Sequence, residues 1–461
     1  MNETEPLLRV KRIQVDSLFE AFNHRVDLKL DDRVTILHGP NGVGKTMLLK
    51  MVNALLDGRY SLFQRVPFGR FILELTDHRR IELTLGPPKP AGKTRKSSRK
   101  ARQEPFRTLQ LKLFERDKEV DRHEVLTNQD VVVIADAIGS RIPWVHRQSD
   151  DLWLDERESD DLLSPEEVVV RYGDEVSANL LLTGRSTDPD WLKEIHDKVK
   201  VHFIAAQRLL RVGPEHPRLY PSRPRTSSTV MDYARDLRSR INDTMARYGQ
   251  RSQTLDQSFP QRLLSSGYMR LPADDLKQRM EKLDERRKEL KGIGLLDKLD
   301  SHPFDTAKLE SLEPAQESVM ALYVQDTEDK LSELDDLAQR ARLLLDNVNH
   351  KFHHKQIRID RDLGLIAEGE QGRALELDAL SSGEQHELVL HYDLLFRVRQ
   401  NTLVLIDEPE LSLHVAWQKR FLPDLLEIVE TAQFDVLMAT HSPFIVGDRS
   451  DLMIGLDAEL V

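Results

Sequence analysis

Residues 402–406 read TLVLI, a short apolar run rich in β-branched side chains, which is how a strand buried on both faces of a parallel sheet looks. The run ends in Asp407-Glu408-Pro409, so two carboxylates stand at its C-terminal tip, where open α/β sheets place their ligands. An Asp there can hold Mg²⁺, and the Glu after it can orient or deprotonate a water. Taken alone, the run reads equally well as a strand followed by an acidic turn.

A second stretch far upstream removes that ambiguity. Gly39-Pro40-Asn41-Gly42-Val43-Gly44-Lys45-Thr46 is a complete phosphate-binding loop. It follows a buried-strand pattern at 33–38 (RVTILH) and precedes a helical pattern at 47–56, the context the motif requires. Its glycines let backbone N–H groups turn inward around phosphates, and the helix N-terminus adds a favourable dipole. Lys45 is expected to reach the β- and γ-phosphates of ATP, and Thr46 to offer its hydroxyl to Mg²⁺.

The remaining composition bounds the class. The chain has 461 residues, a net charge of −11, 31% charged and 39% hydrophobic residues, which suits two to four structural units with a sizeable core. The acidic total argues against a protein that coats nucleic acid with its whole surface. Cysteine is absent, which excludes disulfides, thiolate zinc sites and cysteine nucleophiles. The opening MNETEPLLRV lacks the pattern of a signal peptide, and no apolar run approaches the ~20 residues that span a bilayer. A soluble, cytoplasmic protein is expected, with no membrane partner.

Patterns at 7–15 and 26–30 predict strands, and those at 70–76, 80–85 and 107–114 predict an antiparallel sheet flanking the nucleotide site. The segment 88–105 carries seven Lys or Arg against one Glu. It reads as a mobile loop, with contact to a nucleic-acid backbone through 89–102 as the alternative, though no aromatics are interleaved to stack bases. Residues 149–167 hold nine acidic side chains around Trp153, a solvated acidic loop or an ionic docking site. A helix is expected at 190–198 and a strand at 199–205, ending in Ala206-Gln207-Arg208. A Pro- and Arg-rich boundary follows, and from about 229 to 350 the pattern is helical. Leu276, Met280, Leu283 and Leu290 follow heptad spacing that Arg287 interrupts, and the simplest reading is two longest helices of ~20 residues packed antiparallel. His350, His353 and His354 lack an acidic or Cys partner at metal-ligand spacing. Short strands are expected at 356–360, 364–367 and 374–377, helices at 384–399 and 421–429, and a last strand at 435–439.

Leu380-Ser381-Ser382-Gly383-Glu384-Gln385 looks like the signature motif of ABC-type ATPases, and Ala439-Thr440-His441-Ser442 resembles their switch histidine. The order of lobe, helical insertion and lobe resembles the SMC, RecF and OLD-like branch. Within it, DEPELSLH followed by THSPFIV resembles the OLD-like ATPases of bacterial anti-phage systems, including the ATPase subunits of the PARIS and Septu systems. Ser382 departs from the Gly of many signatures. No Toprim nuclease domain of the kind that overcoming-lysogenisation nucleases carry is expected after His441.

The resemblance implies an α/β head split by a helical, short antiparallel coiled-coil insertion, with an N-lobe at 1–210, the insertion at 211–350 and a C-lobe at 351–461. It implies two copies facing head-to-tail, each ATP held by residues 39–46 of one and by Ser381, Ser382, Gly383 and Glu384 of the other. It assigns Mg²⁺ to Thr46 and Asp407, water activation to Glu408, the γ-phosphate to His441, and contact with Mg²⁺ and the water to Gln207. Two functions follow from it: a switch subunit holding a separately encoded effector, expected to be a nuclease, or a DNA-processing ATPase acting on nucleic acid directly.

Overall fold

The structure, a computed structural model, describes residues 7–86, 108–125, 128–149, 152–155, 161–163, 165–172, 188–205, 210–212, 226–265, 271–296, 313–411 and 413–456. The basic segment 88–105 and Gln207 lie outside the described residues. The chain divides into two units, Met1–Ala206 with Val398–Val461, and Gln207–Arg397. The span 351–397, expected in the C-lobe, therefore falls with the helical insertion.

The first unit opens with β1 (Val10–Leu18), β2 (Phe22–Asp27) and β3 (Val34–His38), then α1 (Lys45–Asp57) and a short α2 (Leu62–Arg65). It continues through β4 (Arg70–Leu75), β5 (Arg79–Leu85), β6 (Leu109–Glu115) and β7 (Lys118–Val125). Six of these strands form one antiparallel sheet in the order β2-β1-β4-β5-β6-β7. Alternation fixes its register: Ile81 and Leu83 of β5, and Leu109, Leu111 and Leu113 of β6, are buried while their neighbours are less so.

Next come α3 (Asn128–Gly139), β8 (Val145–Ser149), β9 (Leu152–Asp155), β10 (Asp161–Leu163) and α4 (Pro165–Tyr172), with the three strands forming a small sheet. This region corrects the reading of Trp153 as the centre of a solvated loop or docking patch. Trp153 is fully buried, and Asp155, also buried, accepts hydrogen bonds from Tyr172 Oη (2.5 Å) and Arg171 (2.9 Å). The strand turns Trp153 and Asp155 inward on one face, the carboxylate being satisfied by its two donors.

α5 (Asp190–Lys198) and β11 (Lys200–Ile204) complete the first segment of this unit. It resumes after the insertion with β17 (Thr402–Asp407), α11 (Val415–Ala432), β18 (Asp435–Ala439), α12 (Pro443–Val446) and β19 (Met453–Gly455). The second sheet is parallel, in the order β11-β17-β18-β3-β19. β17 and β18 are buried at every position, as the continuous apolar runs require, and α1 packs on them. Arg9 clamps Asp435, its Nε and Nη2 donating to the two carboxylate oxygens at 2.7 and 2.5 Å, a bidentate pair at the start of β18.

The second unit contains β12 (Leu210–Val212), β13 (Thr226–Ser228), α6 (Thr229–Ser265), α7 (Ala273–Ile293), α8 (Pro314–Ser332) and α9 (Asp335–Asn349). β14 (Lys355–Asp360), β15 (Gly364–Gly369) and β16 (Ala374–Leu375) follow as an antiparallel sheet, then α10 (Ser382–Tyr392). The expectation of two ~20-residue arms needs correction. α6 alone has 37 residues, and both it and α7 (21 residues) pack on α8. Charged pairs join the helices beside their buried apolar residues: Arg262 of α6 reaches buried Asp326 of α8 at 2.5 Å, and Arg279 of α7 pairs with Glu328. The helix expected to run to 399 ends as an α-helix at Tyr392 and widens into a π-helical turn over Asp393–Arg397. There Tyr392 stacks on Tyr233 of α6 (4.6 Å) and on Phe396 (4.8 Å), and Asp393 accepts the Tyr233 hydroxyl at 2.5 Å.

Candidate nucleotide site

The parallel sheet sets the site. β3 delivers the loop 39–46, β17 delivers the acidic tip, and β18, lying between them, delivers residues 440–442. Parallel strands present their C-terminal ends on one side, so three loops distant in sequence converge.

Gly44 caps α1 with φ 98°, a left-handed conformation that a side chain resists, and a Cβ there would lie 2.6 Å from Leu18 Cδ2. Gly39 answers a different need, because a Cβ would meet the Leu456 carbonyl oxygen at 2.7 Å. His24 of β2 supports the loop from beside it, its Nε2 lying 2.7 Å from the Val43 carbonyl oxygen. Burial pushes the His24 pKa down, which favours the neutral ring, with Nε2 carrying the proton it donates.

Lys45 is buried and folds back over the loop, donating to the carbonyls of Gly39 (2.7 Å) and Pro40 (3.0 Å) and to His441 Nδ1 (3.3 Å). Its pKa is lowered by burial, against the pull of Glu408, Glu410 and Asp407. An anion entering the loop would take over the hydrogen bonds that the two carbonyls now receive. Thr46 Oγ1 donates to Asp407 Oδ1 at 2.8 Å. Asp407 is buried, and burial raises its pKa. A hard divalent cation fits this pair, because it takes hydroxyl and carboxylate oxygens and restores a charge partner to a desolvated carboxylate. Glu408 stands beside it with φ 45°, rare for a residue with a side chain, while its N–H donates to the Ala439 carbonyl at 3.0 Å.

Glu410 escaped the reading of the sequence. Its carboxylate accepts the Thr440 hydroxyl (2.9 Å) and the His441 N–H (2.7 Å), fixing the loop that carries the histidine. The repeated acid in DEPE was its only sequence signal, since the groups it holds are 30 and 31 residues away. Ser442 strengthens the same loop, its Oγ donating to Gln418 Oε1 at 2.7 Å.

The signature residues belong to the other unit. Ser381 is the N-cap of α10, and Ser381 and Ser382 are exposed, with Gly383 half-buried. Glu384, expected among the nucleotide-contacting residues, turns inward to Ser381 and to Lys355 (2.8 Å). The structure thus brings Lys45, Thr46, Asp407, Glu408 and His441 together within one unit and presents Ser381–Gly383 on the surface of the other.

No curated protein matches the chain. Among solved structures it is similar to an SMC head bound to the C-terminal winged-helix domain of ScpA (8% identity, TM-score 0.33, covering 97% of this chain and 93% of that one). It is also similar to the SMC head domain from Thermotoga maritima (10% identity, TM-score 0.31, covering 97% and 94%). The fold rests instead on the strand order above, an α/β P-loop ATPase head interrupted by a helical insertion. A family model described as "AAA domain, putative AbiEii toxin, Type IV TA system" matches residues 210–447, just over half of the chain. That span carries the signature, the acidic tip and the switch histidine but begins after the phosphate loop. The 2.8 Å bond from Thr46 to Asp407 joins the loop to the matched part. With both halves of the site in one sheet, the chain belongs to this AbiEii-type AAA-domain family of P-loop proteins.

Proposed function

We propose that this protein is an ATPase switch whose two copies pair head-to-tail around ATP and thereby control a separately encoded effector. The observation that carries the reading is the convergence of Lys45, Thr46, Asp407, Glu408 and His441 at one end of the parallel sheet. Lys45 leaves the Gly39 and Pro40 carbonyls to bind the β- and γ-phosphates, helped by the N-terminus of α1. Thr46 and Asp407 would hold Mg²⁺, which would supply neutralisation of the phosphate charge. Glu408 takes the proton of the attacking water from its place at the tip of β17, where its backbone is left-handed. His441, already within hydrogen-bond reach of Lys45, turns to the γ-phosphate. Ser381, Ser382 and Gly383 of the second copy close the site from the opposite side, so losing that phosphate loosens the pair. Gln207 is assigned to the same water by the resemblance alone.

The effector reading draws on the family's toxin–antitoxin description and on the resemblance to anti-phage ATPase subunits. The insertion, at 211–350, is the surface on which the effector docks, and a nuclease acting in the cytoplasm is the class proposed. Glu408→Gln tests the mechanism: ATP binding is retained, hydrolysis falls about 10²–10⁴-fold, and the pair persists in ATP. Turnover within a few-fold of the parent would remove Glu408 from this role. The biological role is tested by co-expression with the neighbouring gene: a co-purifying assembly and phage resistance that Lys45→Ala abolishes support it. A partnerless protein whose DNA affinity falls steeply with salt, and whose hydrolysis DNA stimulates, would replace it with the DNA-processing reading.

A further inference from the structure

The exposed signature serine is not free in the molecule as it stands. One oxygen of Glu384, Oε2, accepts the Ser381 N–H at 2.7 Å and the Ser381 hydroxyl at 2.9 Å. The Glu384 N–H lies 3.4 Å from Ser381 Oγ, completing a reciprocal helix cap. A cap needs no more than this, yet the same Oε2 also takes Lys355 Nζ at 2.8 Å. Burial opposes the charge on Glu384, but the bonds from Lys355 and Ser381 outweigh it and hold the carboxyl below its usual range. Lys355 opens β14, six residues beyond the end of the last insertion helix, Asn349. A second lysine on the same connection, Lys351, pairs with Glu387 one turn further along α10, both fully buried. The exit of the insertion is thus bolted to the signature helix at two successive turns.

The chemistry of the serine makes this arrangement consequential. A hydroxyl has one proton, and here it points at Glu384. To bind a phosphate oxygen the same proton must leave the carboxylate. A carboxylate alone holds it strongly; one shared with an ammonium holds it less. We propose that Lys355 is a positioning residue for Ser381: by sharing Glu384 it sets how readily the signature serine is released to a phosphate bound on a second copy of the chain. The inference rests on the reading of Ser381 as the trans half of the nucleotide site. It also gives the insertion a route to that site, since movement of α9 that draws Lys355 from Glu384 tightens the hold on the serine.

The signs of two substitutions separate this from a merely structural ion pair. ATPase activity of the full-length protein is measured against protein concentration, with ATP affinity of the dilute chain as a control for folding. Lys355→Met strengthens the hold on the serine and raises the concentration for half-maximal specific activity about fivefold. Glu384→Gln keeps an acceptor for the cap but weakens the hold, and lowers that concentration by about threefold. Lys355→Arg restores the parent value. A structural pair predicts instead that losing either partner raises it, so two shifts in the same direction, or no shift with Lys355→Met, overturn the proposal. Should Lys355→Met fail to fold, Glu384→Gln decides alone, a rise or no change counting against the inference. Ser381→Arg tells the two levels apart: if it keeps full activity, the composite-site reading fails and this inference with it. If it is inactive while the other two variants shift together, only the inference falls.

Discussion

Glu410 offers the sharpest test of how the site is held. Its carboxylate takes two hydrogen bonds from the switch loop, one from the Thr440 hydroxyl and one from the His441 N–H. Bonds to a charged acceptor contribute about 1.5–3 kcal/mol each. Glu410→Ala removes both, yet the loop stays tethered by Thr440 N–H to the Leu37 carbonyl (3.2 Å) and by Ser442 to Gln418 (2.7 Å). The protein therefore folds, and what is lost is the placement of His441. If about 2 kcal/mol of that ordering is felt in the transition state, kcat falls about 30-fold. KM for ATP changes little, because the phosphate loop keeps its backbone and Lys45 keeps its bonds to the Gly39 and Pro40 carbonyls. Glu410→Gln retains one acceptor for the His441 N–H and turns its amide toward Thr440 Oγ1, which can accept, so it recovers most of the rate. Steady-state ATPase kinetics on both variants, with a nucleotide titration, decide the matter. A rate for Glu410→Ala within twofold of the parent, or a rise in KM with kcat intact, would refute the positioning argument.

Asp407→Asn is expected to raise the Tm of the nucleotide-free protein by about 1–2 °C while abolishing Mg²⁺-dependent hydrolysis. The sign follows from burial, which raises the folded-state pKa of Asp407: its ionised form is disfavoured in the fold. The contribution of this one group to stability is therefore fullest at acid pH and is lost as pH rises from the ordinary carboxylate range through that raised value, a slope the Asn variant lacks. Thermal melts at several pH values measure it. Gly44→Ala forces φ 98° on a residue with a Cβ and pushes it onto Leu18, so Tm should fall by about 2–4 °C and ATP binding weaken, by melting and nucleotide titration. Lys45→Ala should leave Tm near the parent value and eliminate ATP binding, because no other cation lies within the phosphate loop.

The site was legible wherever a motif sat on a buried strand. The helix at 190–198 and the strand at 435–439 fall where the pattern put them, since the first has an apolar face at helical spacing and the second is an unbroken apolar run after Asp435. The pattern failed where charge or polarity masked the period. β7, KEVDRHEV, is an edge strand exposed along most of its length, so nothing alternates. α6 was recognised as helical but not as 37 residues, because its middle, MARYGQRSQTLDQ, has almost no apolar stripe and Pro260 lies within it. Its length depends on pairs such as Arg262–Asp326, 64 residues apart. The Ser381–Glu384 cap is visible in the letters S-x-x-E, but Lys355 as its third member is not, lying 29 residues before Glu384.

The parallel sheet also has a history along the chain. β3, VTILH, is made early, yet both its neighbours are β18 and β19, which begin only at Asp435 and Met453. During synthesis this apolar strand waits without a pairing partner until Asp435 and the residues after it are made, a large separation that slows assembly. The phosphate loop it carries cannot be seated until Leu456 has emerged to donate to the His38 carbonyl. A nascent chain therefore becomes able to bind nucleotide only once β19 and Leu456 have been made. Until then an unpaired hydrophobic edge must be shielded from its neighbours on the polysome.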